Sequence, residues 1–307
     1  MIPVLPALTV RPFEDEDVDA LCELMDAQLR RSLYPSAINA QGVLAQLQQP
    51  QSYFAARWQS VRPLCAWRAG ELVGFLDATT GFDTVNLGRP DHQPLGFLRF
   101  VALTERSDIL NETLLVLLRA AEQFWLEQKV QSVFAFSNTM GYPYFQGGVG
   151  ILPGDWDEIV RALTSMGYTF AHRFYLLRRN LQLMVEEDVP MADLRLEYQR
   201  SQTEVRYRIY YRLVEQVASA RVLALEATEG ESRPLHLLDI SVAEPWRNRD
   251  IGKWLLRRII NDATMAGFDE LIAFPSSRYS IALALFGQQG FIEQNYRGYS
   301  LEKELAQ

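Results

Sequence analysis

The sequence predicts a protein of the mixed α/β (α+β) class with two domains. Three observations support this prediction. The 307 residues exceed the usual size of a single domain. Segments with the two-residue apolar alternation of strands are interleaved with segments whose apolar residues recur at helical spacing. One strand–turn–helix pattern also occurs twice, once in each half of the chain.

The first half contains predicted strands and helices in alternation. LTVRPF alternates like a strand, acidic residues then open a first helix, and a second helix covers Ala40–Gln48. Two strands follow around a turn at Gly70, and a strand, an apolar helix and another strand lead to residues 140–156. That stretch is rich in glycine, proline and aromatic residues. We expect a loop that either covers a ligand or forms a solvent-exposed connection.

Residues 182–192 are the best candidate for a linker, because this stretch is acidic and contains a proline. The predicted domains are therefore residues 1–181 and 193–307. The second domain begins with three strands rich in Tyr, Val and Arg, which suit a pleated surface. A strand over LHLLDISV, an amphipathic helix capped by Gly267, a strand, a short helix and a hairpin complete it.

Composition excludes several classes of protein. The formal charge of −8 argues against a nucleic-acid or anionic-membrane surface, so neither partner is expected. No stretch approaches the roughly 20 apolar residues that a membrane span needs. Cys22 and Cys65 form no CxxC pair and the three histidines are scattered, so no metal site is expected. A cytoplasmic enzyme or binding protein is the default expectation.

The repeated pattern aligns residues 101–115, VALTERSDILNETLL, with residues 242–256, VAEPWRNRDIGKWLL. The alignment needs no gap and has a constant offset of 141 residues, from Val101 to Val242. In both halves an apolar strand comes before the pattern, and an apolar helix and a strand containing Ala-Phe follow it. Chance similarity is the alternative, but the shared element order favours a duplication.

The turn of the second copy has the chemistry of a phosphate site. A strand that feeds a helix through a tight turn exposes unpaired backbone N–H groups, which together with the helix dipole bind phosphate. Gly252 permits a close approach of a ligand, and Arg247, Arg249 and Lys253 add positive charge. The alternative is an ordinary solvated basic start of a helix.

These residues resemble motif A of the GNAT N-acetyltransferase superfamily, Arg/Gln-x-x-Gly-x-Gly/Ala after a strand. Arg247 matches the first position and Gly252 the last, whereas Asp250 replaces the middle glycine. Downstream, YSIALALFGQQGF is similar to the second motif of the family, with Tyr279 in place of its Asn and Phe286 in place of its Tyr.

The resemblance implies two tandem GNAT-like domains, each a mixed, mostly antiparallel twisted sheet flanked by helices, with a degenerate N-terminal copy. It implies acetyl-CoA as co-substrate and a small-molecule or peptide amine as acceptor. The backbone of the turn would hold the pyrophosphate, and the preceding strand would pair with the pantetheine arm. The implied cofactor-binding residues are Ile240, Val242, Arg247, Asn248, Arg249, Asp250, Ile251, Gly252 and Lys253.

The two copies depart from the family pattern in different ways. The turn of the first copy, residues 106–111, lacks both glycines and keeps one cation, so we expect that copy to serve as a scaffold and as a wall of the substrate site. The second copy has only a few residues between its first two strands, where the family usually has two helices. The first domain or a second subunit would then complete the acceptor site, which leaves a homodimer open.

The resemblance also suggests catalytic groups. His236 lies at the offset that the histone-acetylating branch uses for its base, and a histidine titrates near neutral pH. A half-exposed histidine at a strand end is an equally good interpretation. Leu95, its counterpart in the first copy, cannot act as a base. Tyr279 or Tyr299 would have to replace the family's tyrosine acid, although ordinary packing explains both.

We therefore predict an acetyl-CoA-dependent N-acetyltransferase with its active site in the second half. A non-catalytic acyl-CoA-binding or sensor protein is the main alternative, because Phe286 has no proton to give. A structural dimerisation module with a vestigial site is the third interpretation.

Overall fold

The computed structural model describes residues 6–50, 56–83, 93–104, 107–225 and 232–305. The chain divides into two compact units, which we call the first unit and the second unit. The first unit comprises Met1–Arg173 and Gly298–Gln307, and the second unit comprises Phe174–Arg297. Both units mix helices and strands, which confirms the predicted α/β class.

The first part of the chain contains seven strands and four α-helices within its described residues. In chain order they are β1 (Leu8–Pro12), α1 (Val18–Leu29), α2 (Ala40–Gln48), β2 (Ala56–Arg68), β3 (Glu71–Asp83), β4 (Leu95–Leu103), α3 (Ser107–Glu127), β5 (Ser132–Ala135), β6 (Leu152–Pro153), α4 (Asp157–Ser165) and β7 (Thr169–Asn180).

The remaining part contains six strands and two α-helices within its described residues. They are β8 (Leu194–Arg200), β9 (Glu204–Tyr211), β10 (Glu215–Ala224), β11 (Pro234–Val242), α5 (Ile251–Met265), β12 (Glu270–Ala273), α6 (Ser280–Gln288) and β13 (Ile292–Glu304). Only residues 201–203 separate β8 from β9, so the two helices that the family usually places there are absent, as predicted.

The first unit is built on strands in the order β1-β2-β3-β4-β5, followed by the C-terminal part of β13. All neighbours are antiparallel except β4 and β5, which are parallel. Its core is large and aromatic, and its fully buried side chains include Phe75, Phe100 and Trp125. This unit therefore has enough buried apolar surface to form a compact core.

The second unit is built on strands in the order β7-β12-β11-β10-β9-β8. Here β11 and β12 are the parallel pair, and their pairing covers only Pro234–Glu270, Leu235–Leu271 and His236–Ile272. Leu255, Leu256, Ile259 and Ile260 of α5 are buried in the core on one face of this sheet. The site described below lies where β11 continues beyond its partner.

The same irregularity occurs in both units. In β11 the partners of Arg221 and Val222 are Asp239 and Leu237, so Leu238 is an extra residue in that strand. In β4 the partners of Asp77 and Ala78 are Phe100 and Leu98, so Arg99 is the extra residue there. Each is a β-bulge, which moves all later side chains of its strand to the opposite face of the sheet.

The domain boundaries differ from the predicted ones. The end of β13 pairs with β5, with Leu301 opposite Ala135 and Glu304 opposite Ser132, so the last ten residues belong to the first unit. The predicted linker, residues 182–192, belongs to the second unit and packs there. Its Val185 N–H donates to Asn261 Oδ1 at 2.8 Å, and Glu187 Oε1 accepts from Trp254 Nε1 at 2.9 Å. Long-range pairing, which has no local sequence signal, determines both differences.

Residues 140–156 form a largely irregular segment, as predicted, but they are not a solvent-exposed connection. Tyr142, Phe145 and Trp156 are at most 1% exposed and belong to the core of the first unit. Tyr142 stacks on Phe100 at 4.9 Å between ring centroids, and Phe145 stacks on Trp156 at 5.1 Å. The solvent-exposed alternative was wrong because the aromatic side chains of this segment bury enough apolar surface to hold an irregular backbone inside the unit.

Candidate functional site

In the second unit β11 and β12 pair only at their beginnings, and we call the place where they separate the cleft. After His236–Ile272 the two strands no longer pair. The chain beyond β12 instead turns to β7, since the Tyr175 N–H donates to Pro275 O at 3.1 Å and Phe174 forms a β-bridge with Ser276. From Leu237 onward, β11 therefore has a partner on one edge only among the described residues.

The open edge of β11 presents the backbone of the two predicted pantetheine-binding residues. The Ala243 N–H donates to Val217 O at 2.9 Å, which fixes the hydrogen-bond pattern between β10 and the end of β11. In this pattern alternate residues point their N–H and C=O groups away from β10, and these are Ile240 and Val242. The edge is thus able to accept one further extended chain.

The turn after β11 has an unusual backbone conformation. A 3-10 turn, Glu244–Trp246, follows the strand, and then Asn248 and Asp250 adopt positive φ angles of 61° and 56°. The first helical hydrogen bond of α5 joins the Trp254 N–H to Asp250 O at 2.9 Å. Positive φ at alternate residues makes successive N–H groups converge into an anion-binding concavity.

The backbone N–H groups of residues 248–253 have no hydrogen-bond acceptor among the described residues. They belong to Asn248, Arg249, Asp250, Ile251, Gly252 and Lys253. Residues 248–250 are exposed, and the first N–H groups of a helix have no partner within it. At a helix N-terminus such groups are the ones that bind phosphate oxygens. All the predicted residues of the turn are therefore brought together at one surface.

Two arginines of the turn have structural contacts. Arg247 Nε donates to Val242 O at 3.1 Å, which ties the turn to the end of β11. The Arg249 guanidinium lies 5.0 Å from the centre of the Trp246 ring. Trp246 is buried and in turn donates to Glu215 Oε1 at 2.8 Å. The turn is thus preorganised by its own side chains.

Asp250 does not disturb this arrangement. Among the described residues its carboxylate makes no ion pair within 4.0 Å and no cap hydrogen bond to α5. Asp250 is exposed, and its left-handed backbone is one that aspartate tolerates better than most residues. Asp250 therefore contributes to the turn through its backbone conformation and not through its side chain.

A cavity of about 430 Å³ lies beside the turn and the first turns of α5. It is lined by three cationic side chains, Arg249, Lys253 and Arg257, with Trp254 and Asp250. Asp188, Pro190 and Met191 of the predicted linker form its other side. The excess of cations favours an anionic ligand.

Gly252 lies where α5 packs closely on the end of β11. A Cβ atom at this position would lie 3.3 Å from Val242 Cγ2 and 3.8 Å from Leu285 Cδ2. Its backbone is helical, so the missing side chain matters and a special φ angle does not. A larger residue would have to push α5 away from Val242 and Leu285.

His236, the predicted base, is at the point where β11 and β12 separate, but its side chain is only 1% exposed. Its ring contacts Phe274 edge-on at 5.5 Å between centroids, and Phe274 contacts Tyr296 in the same way at 5.8 Å. The predicted half-exposed position at a strand end is therefore wrong. His236 is buried at the last pair before the strands separate, and we call this closed end the floor of the cleft.

The bulge changes which residues share a face with His236. A regular strand predicts that Ile240 and Val242 share it, but both pack with Leu235 and Leu237 against the core that contains α5. The residue on the His236 face is Asp239. Its cross-strand partner is Arg221, and the next pair on that face brings Ser219 Oγ and Ser241 Oγ to 3.1 Å.

Asp239 is a functional candidate that sequence reasoning missed. It is half-buried, and among the described residues its carboxylate has no hydrogen bond and no ion pair within 4.0 Å. Arg221 directs its Nε to Glu204 Oε1 at 2.6 Å instead. Burial raises the pKa of the Asp239 carboxyl above its ordinary value, Arg221 opposes this rise, and Glu204 adds to it. Such a carboxylate suits the binding or deprotonation of an amine.

The predicted acid, Tyr279, does not lie at the floor of the cleft. It is 66% exposed at the N-terminus of α6. Phe286, which occupies the tyrosine position of the second motif, is buried edge-on against Phe291 at 4.9 Å. Tyr299 belongs to the first unit and packs against Phe170 at 4.8 Å. Tyr296 is half-buried and contacts Phe274, which in turn contacts His236.

No helix among the described residues is long and apolar enough to cross a membrane. No group of three or more His, Cys, Asp or Glu side chains within these residues is arranged to hold a metal ion.

No protein-family model matches the sequence, and no curated protein sequence is significantly similar to it. Solved structures do match. One, described as a GCN5-related glucosamine N-acetyltransferase region of a fungal multi-domain GH3 β-N-acetylglucosaminidase, has a TM-score of 0.69 at 14% identity over 98% of this chain. This chain spans 38% of that protein.

Two other matches are similar in length to this chain. A tandem GNAT protein from the clavulanic acid biosynthesis pathway has a TM-score of 0.65 at 12% identity, covering 98% of this chain and 99% of that one. A GCN5-related N-acetyltransferase from Sphaerobacter thermophilus has a TM-score of 0.60 at 14% identity, covering 98% and 97%. The chain therefore has the tandem GNAT N-acetyltransferase fold.

Proposed function

We propose that this protein is an acetyl-CoA-dependent N-acetyltransferase whose active site lies in the second unit. The observation that carries the proposal is the run of unpaired N–H groups at residues 248–253, directly after a strand with an open edge. An anion site and an extended-chain site in succession suit a pyrophosphate joined to a pantetheine arm.

The ligand would bind as follows. The N–H groups from Asn248 to Lys253 bind the pyrophosphate, and the cavity lined by Arg249, Lys253 and Arg257 receives the anionic nucleotide end. Ile240 and Val242 exchange backbone hydrogen bonds with the pantetheine amides. The arm then runs along β11 toward the bulge at Leu238, and the thioester reaches the floor of the cleft.

The acceptor amine would approach from the face of the sheet that carries Asp239 and His236, because α5 and its core occupy the other face. The neutral amine nitrogen attacks the thioester carbonyl carbon. The Asp239 carboxylate takes the proton that the nitrogen loses, the carbon–sulfur bond breaks, and CoA leaves as a thiolate that is then protonated. His236 is the second candidate for the base.

An acyl-CoA-binding or sensor protein is the second candidate function, and the burial of Phe286 favours it. The phenyl ring cannot protonate a leaving thiolate, and Tyr279 is exposed rather than directed to the cleft floor. A sensor would bind acetyl-CoA without turnover.

The test is the release of free CoA thiol from acetyl-CoA in the presence of a panel of small amines, amino acids and lysine peptides. We expect thiol release that depends on one amine class, with the acetylated amine detected by mass spectrometry. Binding of acetyl-CoA by calorimetry without any amine-dependent release would support the sensor. Absence of acetyl-CoA binding would contradict both functions.

A further inference from the structure

The terminal strand of the second unit, β8, has an unpaired edge. It pairs with β9 alone among the described residues. The Arg212 N–H donates to Asp193 O at 2.9 Å and the Ser201 N–H to Glu204 O at 2.8 Å, which fixes the hydrogen-bond pattern. In this pattern Leu194, Leu196, Tyr198 and Arg200 point their N–H and C=O groups away from β9.

The other terminal strand, β1, is protected. The Phe13 N–H donates to Pro63 O at 2.9 Å, so the outward residues of β1 are Leu8, Val10 and Pro12. Pro12 has no N–H to donate, and natural proteins use such prolines to block pairing at sheet edges. Strand β8 contains no proline and is two residues longer. The difference suggests that the β8 edge is used.

The side chains of β8 have a pattern that complements itself. Leu194 and Leu196 pack against the core of the second unit, and Tyr198 on the same face is 62% exposed. Arg195 and Glu197 project from the opposite face and are both exposed. Among the described residues neither charge has an ion pair within 4.0 Å. Arg195 and Glu197 are thus both available to pair with opposite charges on a partner.

We propose that β8 pairs with β8 of a second copy of this chain, antiparallel about a twofold axis at Leu196. Leu196 then faces Leu196 of the second copy, and Leu194 faces Tyr198. These are the residues whose backbone groups point outward, so each such pair exchanges two hydrogen bonds. Arg195 faces Glu197 of the second copy twice, in the pairs whose side chains approach most closely.

Charge selects this register over its neighbours. Moving the axis by one residue to Glu197 keeps the backbone bonds but sets Glu197 opposite Glu197. Moving it to Arg195 sets Arg195 opposite Arg195. Like charges directly opposite each other destabilise a strand pair, whereas opposite charges stabilise it. The dimer joins two second-unit sheets edge to edge and does not depend on catalysis.

The test is the mass of the full-length protein by light scattering or sedimentation, from about 1 to about 100 µM, the range that resolves micromolar association. We expect a monomer–dimer equilibrium. Glu197→Arg and Arg195→Glu should each weaken dimerisation about tenfold or more, because both symmetric pairs become repulsive. The double variant, in which the charges are exchanged, should restore dimerisation.

Glu23→Arg is the matched control, because Glu23 is an exposed residue of α1 and its reversal changes the net charge equally. It should leave the dimer unchanged. Melting temperatures establish that each variant is folded. A monomeric wild type over the whole range would overturn the proposal, and so would a dimer that survives Glu197→Arg or a double variant that remains monomeric.

Discussion

The two strand–turn–helix units differ most in the length of the turn. In the first unit three residues, 104–106, separate β4 from α3, whereas eight residues, 243–250, separate β11 from α5. Ser107, aligned by sequence with Asn248, is already helical. Arg106 lies outside the described residues. The proposed anion site includes the N–H groups of residues 248–250, which belong to this longer turn.

The residues around the two bulges also differ in chemistry. The bulge residues Arg99 and Leu238 are 139 positions apart, so the structural register differs by two from the gapless sequence alignment. In that register Phe97 and Phe100 replace His236 and Asp239. The prediction that Leu95 is the counterpart of His236 was therefore wrong, because the structural counterpart is Phe97. Neither Leu95 nor Phe97 can act as a base.

The chain after the parallel strand fills the corresponding place in the first unit. Twenty-one residues, 136–156, lie between β5 and α4 and include the short strand β6. Only six residues, 274–279, lie between β12 and α6. Aromatic side chains of the longer segment pack against Phe100. The same framework thus carries the proposed site in the second unit and a packed aromatic core in the first. The two units differ in the length of the turn and in the residues around the bulge.

The largest effect that we expect comes from Asp239→Asn. Without a carboxylate to accept the amine proton, turnover should fall about 10²- to 10⁴-fold. Acetyl-CoA affinity should be unchanged, since the nucleotide contacts lie elsewhere. Thiol-release kinetics and calorimetry check both parts. A comparable loss in His236→Gln with full activity in Asp239→Asn would move the base to His236.

The same carboxyl predicts a pH dependence. Its folded-state pKa is raised above the unfolded value, mainly by burial, so kcat/KM should fall as the pH drops through that raised value. Because ionisation of such a group opposes folding at neutral pH, Asp239→Asn should keep or increase the melting temperature. A clear loss of stability would assign Asp239 a structural role instead.

In the first unit the expected effect is on stability. Phe145 is fully buried between Phe100 and Trp156, so Phe145→Ala should lower the free energy of unfolding by about 3–5 kcal/mol. Acetyl-CoA affinity of the folded variant should not change. Urea denaturation and calorimetry measure the two quantities, and a variant that lost affinity without losing stability would contradict the assignment of this segment to the core.

A matched pair of variants compares the two turns directly. Gly252→Leu should weaken acetyl-CoA binding roughly a hundredfold, about 2.8 kcal/mol, because a side chain that meets Val242 and Leu285 must displace the start of α5 from the end of β11. Asn111→Leu, at the aligned exposed position of the first unit, should leave binding unchanged. Equal effects of the two changes would break the comparison.

The smallest effect concerns acid stability. Asp17 accepts two hydrogen bonds from Arg11, both at 2.7 Å, and this pairing lowers the pKa of the Asp17 carboxyl. The stabilisation is present above the unfolded pKa and is lost as the pH falls through the folded one. Since Arg11 is 37% exposed, Asp17→Asn should cost about 1 kcal/mol at neutral pH and less in acid. Urea denaturation of the wild type and of Asp17→Asn, at neutral and at acidic pH, measures this difference in the free energy of unfolding.

Local signals predicted much of the fold. Helix α2 has the predicted bounds, and Asn39 caps it by accepting from the Gly42 N–H. The turn at Ala69 and Gly70 has the positive φ angles that a tight hairpin requires. The position of the proposed anion site also follows from residues 247–253, because a helix N-terminus after a strand is a local feature.

Features that depend on long-range pairing could not be predicted. No glycine or proline marks the bulge at Leu238, which exists because of how β10 and β11 pair. Without the bulge, Asp239 is assigned to the wrong face. The pairing of the C-terminal part of β13 with β5 in the first unit depends on contacts between residues far apart in the sequence. The burial of residues 140–156 depends on such contacts as well.

A crystal structure of the protein with bound CoA tests the central claim most directly. The account predicts one CoA per chain, with its pyrophosphate on the N–H groups of residues 248–253 and its pantetheine arm paired with Ile240 and Val242. A CoA bound at the turn between β4 and α3, or bound without contacts to residues 248–253, would contradict it.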